Sequence, residues 1–127
     1  MSAVVRVSGG RTAPGTARHA VLEHLAGQLD DRRADDVGLI VSELVTNAVR
    51  HAGVGPDGEI LIRLLVIAGR LRLAVEDPGS DLVPRRSTPD PEQPGGMGLF
   101  IVEHLANSWG VARNGVGTTN VWCEVAL

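Results

Sequence analysis

The stretch Ser42-Glu43-Leu44-Val45-Thr46-Asn47-Ala48-Val49-Arg50-His51 decides how this chain is read. Val37, Ile40, Val41, Leu44, Val45 and Ala48 recur at helical spacing, which predicts an amphipathic helix over residues 34–52 with Gly53 placed to cap it. Glu43 and Asn47 are one turn apart on its polar side and can serve one small site. A carboxylate and a carboxamide oxygen suit a hard cation such as magnesium, which needs few protein ligands when phosphates and water complete its shell. Asn47 is the candidate ligand, and Glu43 beside it can accept a proton from an attacking hydroxyl or water. An ordinary solvated helix face would carry the same pair, so the rest of the chain must decide.

Working outward, Val5 and Val7 alternate with Arg6 and Ser8 in a short, edge-type strand, and Ala17, Val21, Leu25 and Leu29 mark a first helix over residues 14–29. Ile60, Ile62, Leu64 and Val66, then Leu71, Leu73 and Val75, read as a hairpin turning at Ala68-Gly69. Five of the seven prolines fall between residues 78 and 94, together with Arg85 and Arg86, which predicts a long loop. A helix over residues 98–107, a short strand over 109–113 and a closing strand over 119–125 follow.

Three further segments carry chemistry. Asp77 in Asp77-Pro78-Gly79 continues the inward parity of Leu71, Leu73 and Val75, so its carboxylate needs a buried partner. An adenine amino group would serve, with Gly79 allowing close backbone approach; a strand-end turn acid is the alternative. Gly95-Gly96-Met97-Gly98-Leu99 runs straight into a helix, a junction whose backbone N–H groups and helix dipole can hold phosphate, or a plain hinge. Near the end, inward parity selects Thr119 as the hydroxyl beside Asp77, whereas adjacency to Gly117 selects Thr118.

Composition narrows the classes. The 127 residues, 43% hydrophobic, suffice for a single domain spanning 1–127 and leave no room for a second. Twelve basic residues against 15 acidic ones, net −3, offer no field for nucleic acid or an anionic membrane. All twelve are arginine, so no P-loop lysine is available and any phosphate must be bound by other means. Cys123 stands alone, excluding an internal disulfide and favouring a cytoplasmic setting, and no apolar run reaches membrane-spanning length. His19, His24, His51 and His104 have no metal-ligand spacing and read as surface or capping residues, while Trp109 and Trp122 read as packing residues.

In order, the Glu43-x-x-x-Asn47 helix, Asp77-x-Gly79 after a hairpin, a proline-rich loop, the Gly96-Met97-Gly98-Leu99 helix start and the Gly117-Thr118 closing strand resemble the Bergerat ATP-binding fold of gyrase, heat-shock-90, sensor kinases and MutL. The segments 42–52 and 96–102 look most like the bacterial anti-sigma-factor serine kinases. The resemblance implies an α/β sandwich: a mixed, mostly antiparallel sheet with helices packed on one face and the other face left for a partner. It implies ATP and Mg2+ as cofactors, Asn47 as metal ligand, Glu43 as catalytic base, Asp77 and Gly79 at adenine with Thr119 helping Asp77, and Gly96, Met97, Gly98 and Leu99 at phosphate. A lid would cover about residues 80–95. The implied partners are a sigma factor and an anti-anti-sigma protein, with a homodimer as the assembly; a nucleotide-gated binding module and a small ATPase are the alternative activities. Two departures stand out: the closing strand is one residue longer than Gly-Thr-x-Val, and Met97 stands where many sensor kinases carry a polar residue.

Overall fold

The computed structural model describes residues 1–77, 98–113 and 118–127; the proline-rich loop, the expected lid and the residues Gly79, Gly96 and Met97 lie outside them. The described elements are β1 (Ser2–Ser8), α1 (Ala13–His24), α2 (Asp31–Ala52), β2 (Glu59–Ile67), β3 (Arg70–Asp77), α3 (Gly98–Leu105), β4 (Ser108–Arg113) and β5 (Thr119–Ala126).

Alternation along the strands sorts their side chains onto two faces. Val5, Val7, Ile60, Ile62, Leu64, Leu71, Leu73, Val75, Val121, Cys123 and Val125 are all buried on one of them. Register carries this parity across the sheet: Val5 pairs with Ile62, Ile62 with Val75, Val75 with Val121 and Val121 with Val111. The five strands lie in the order β1-β2-β3-β5-β4, and all four pairings are antiparallel. β1 is an edge strand, as its short alternation suggested.

The β2–β3 turn forms where expected. Ala68 and Gly69 both take positive φ, 51° and 75°, between the paired residues Ile67 and Arg70. Positive φ at both central residues gives the turn a twist that matches the flanking strands.

The helices supply the second layer. Ala17 and Val21 of α1, Val37, Ile40, Val41, Leu44 and Val45 of α2, and Val102 of α3 join the sheet residues in one core. α1 is shorter than its periodicity predicts, ending at His24 instead of near residue 29. The reason is local: Ala26 N–H donates to the Glu23 carbonyl and Gln28 N–H to that of Leu25, three-residue closures that tighten and end a helix. α2 begins earlier than residue 34 because the Asp30 carboxylate accepts from Arg33 N–H at 2.8 Å and caps it. Its other end is closed by Gly53 at φ 64°, as predicted. α3 stops at Leu105 because Asn107 turns onto the sheet: its N–H donates to the Glu124 carbonyl and its Oδ1 accepts from Ala126 N–H, each at 2.8 Å.

Candidate functional site

α2 packs against both α3 and β3. Leu44, Val45 and Ala48 anchor the helix in the core and leave Glu43 and Asn47 half-buried at its margin. Burial pushes the Glu43 carboxyl above its ordinary value by penalising the ionised form. The Asn47 Nδ2 is covered, yet it finds no hydrogen-bond partner among the described residues. Between them, the Thr46 hydroxyl donates to the Ser42 carbonyl at 2.7 Å and is occupied within the helix.

Two further candidate residues lie on the sheet. Among the described residues, the buried polar side chains are Asp77, 6% exposed, and Thr119, 2% exposed. They are direct cross-strand partners at the adjoining ends of β3 and β5. Strand register makes Thr119 the buried neighbour of Asp77, while Thr118 precedes the strand and is only partly buried. The same register puts Arg113 of β4 opposite Thr119, a residue the sequence reading did not single out. Its signal was parity, legible only once β4 and β5 are known to pair. Gly98 begins α3, and the Leu99 side chain is outside the described set.

An orphaned buried amide is the strongest sign of a ligand here. An unpaired Nδ2 calls for an acceptor such as a phosphate oxygen or water, and the amide oxygen remains for a cation. Among the described residues no cluster of three or more His, Cys, Asp or Glu could hold a metal ion, so a cation at Asn47 would draw most of its shell from non-protein oxygens. The described histidine contacts fit surface roles: His19 lies 3.1 Å from Glu23, and His104 Nδ1 lies 3.0 Å from the Phe100 carbonyl. Trp109 packs on the core, and Trp122 lies under the Arg72 guanidinium. No described helix is long and apolar enough to cross a membrane.

Helices on one face of an antiparallel sheet, with Glu43 and Asn47 on α2 and Asp77 beside Thr119 at the strand ends, define a kinase-like ATPase domain. The chain belongs to the histidine kinase-like ATPase domain family, whose model matches residues 11–122. It is 36% identical over 94 residues to the serine-protein kinase RsbW of Bacillus pumilus, covering 63% of this chain and 58% of that protein. It is also 36% identical over 83 residues to RsbW of Listeria monocytogenes, covering 56% and 53%. The chain thus spans little more than half the length of these relatives. Among solved structures, the SiaB-SiaC complex from Pseudomonas aeruginosa matches with a TM-score of 0.63 at 16% identity over 98% of this chain and 89% of that one, a likeness of fold. The histidine kinase domain of a blue-light-activated kinase from Erythrobacter litoralis matches at TM-score 0.55 and 26% identity over 91% and 60%. The kinase resemblance drawn from the motifs agrees with these relatives.

Proposed function

We propose that this domain is an ATP-dependent serine kinase of the anti-sigma-factor type, which phosphorylates an anti-anti-sigma protein, sequesters a sigma factor and works as a cytoplasmic homodimer. The observation that carries the reading is the orphaned Asn47 amide one helical turn from the half-buried Glu43, in a chain whose relatives include serine-protein kinases. ATP supplies the phosphoryl group. Asn47 holds the accompanying Mg2+, and the backbone from Gly96 through Met97 and Gly98 to Leu99 receives the phosphates at the α3 N-terminus. Asp77 accepts from the adenine amino group beside Thr119, with Gly79 shaping the base pocket. Glu43 takes the proton of the serine hydroxyl as its oxygen bonds to the γ-phosphorus and ADP leaves. The burial that raises its pKa makes the ionised carboxylate a stronger base.

The test compares native protein with Glu43→Ala, measuring ATP affinity and transfer of labelled phosphate to a cognate anti-anti-sigma protein in the same preparation. Affinity is expected to persist while transfer falls about a hundred- to ten-thousand-fold. Native-rate transfer by the variant would remove the base role. Release of free phosphate without a phosphoserine product would mark an ATPase, and nucleotide-dependent partner binding without transfer would mark a gated binding module.

A further inference from the structure

Three inward-facing polar residues stand in one row at adjoining strand ends: Asp77 pairs with Thr119 across β3 and β5, and Thr119 pairs with Arg113 across β5 and β4. The inward parity of Arg113 follows from Trp109 and Val111, the alternate residues of its strand, which pack on the core. Burial falls away along the row: Asp77 and Thr119 are closed off, whereas Arg113 is exposed. Strands lie about 4.8 Å apart, so Arg113 starts one spacing from Thr119 and two from Asp77. Its side chain is longer than one spacing and can lay its guanidinium over Thr119 toward the carboxylate. An ionised carboxylate only accepts hydrogen bonds, a guanidinium only donates them, and the hydroxyl between them does either.

Adenine carries an amino donor beside an acceptor at ring N1; guanine reverses the order, with its O6 acceptor beside an N1–H donor. We propose that Arg113 is a nucleobase-specificity residue of the site: its guanidinium donates to adenine N1 while Asp77 accepts from the adjacent amino group. This rests on the ATP reading proposed above and adds to it a residue from a strand that carries none of the nucleotide motifs of the sequence. Guanine would set its O6 acceptor against the Asp77 carboxylate and its N1–H donor against the guanidinium. Two pairs of like partners would then meet, and such a mismatch discriminates more strongly than a lost contact.

Calorimetry with ATP and with the triphosphate of 1-deazaadenosine, in which a C–H group replaces N1, tests this. The native protein is expected to bind ATP at least about tenfold more tightly than the deaza compound, as befits one hydrogen bond from a charged donor. Arg113→Met is expected to weaken ATP about tenfold and to bind the two nucleotides equally, whereas Thr119→Val retains the native difference. Arg113 is exposed, so the fold tolerates its replacement, which thermal melting without nucleotide checks. Equal binding of both nucleotides by the native protein, or survival of the native difference in Arg113→Met, would overturn the proposal. So would loss of that difference in Thr119→Val, which would give N1 to the hydroxyl. Because the readout is affinity, absence of phosphoryl transfer overturns the kinase reading alone, and absence of ATP binding by the native protein overturns both.

Discussion

Replacing Asn47 with leucine is expected to stabilise the nucleotide-free domain while removing its response to magnesium ATP. The covered Nδ2 lacks a partner, and leaving such a donor unsatisfied costs about 1–3 kcal/mol. Leucine removes that donor at similar bulk and is the better helix former by about 0.4 kcal/mol. Together these give a gain of roughly 1.5–3 kcal/mol, or about 5–15 °C in melting temperature for a domain of this size. Nucleotide reverses the order: a ligand at a thousand times its Kd adds about 4.1 kcal/mol to a protein that binds it and nothing to one that does not. Scanning calorimetry of both proteins, with and without magnesium ATP, therefore predicts crossing melting temperatures. If the leucine variant is no more stable without nucleotide, the amide is not an unsatisfied cost. If magnesium ATP raises both melting temperatures equally, Asn47 does not hold the ligand.

Asp77→Asn exchanges one of the two carboxylate acceptors for an NH2 donor at the proposed adenine contact and is expected to weaken ATP about tenfold while narrowing its preference over GTP; competition binding reads both. Because burial raises the folded-state pKa of Glu43 above the ordinary 4.5, stability falls as pH rises from there through the folded value. Glu43→Gln is therefore expected to be the more stable protein at neutral pH and to lose that advantage below pH 4.5 in denaturant titrations. Ala68 holds φ 51° in the β2–β3 turn, so Ala68→Asn is expected to stabilise by about 1 kcal/mol without changing ATP affinity; an unchanged urea midpoint would contradict that turn geometry.

Much of this architecture was legible because it rests on local periodicity. Alternation at Ile60, Ile62 and Leu64 and at Leu71, Leu73 and Val75 set the buried side of β2 and β3, and the two-residue turn left only antiparallel pairing. Three- and four-residue spacing put Leu44, Val45 and Ala48 inward and so left Glu43 and Asn47 at the margin of α2. Helix ends were less legible. The apolar period of α1 continues past His24, but backbone closures at Ala26 and Gln28 ended the helix first, and the Asp30 cap set the start of α2.

The sequence by itself determined which residues face inward and that Glu43 and Asn47 share one side of a helix, because both follow from the repeat of a single element. Only the tertiary structure decided that β5 enters the sheet between β3 and β4, and hence that Thr119 meets Asp77 across 41 intervening positions of chain. The orphaned Asn47 amide likewise emerged only in three dimensions. Strand order, hydrogen-bond satisfaction and the space between helices depend on which distant segments pack together, and no local period encodes that choice.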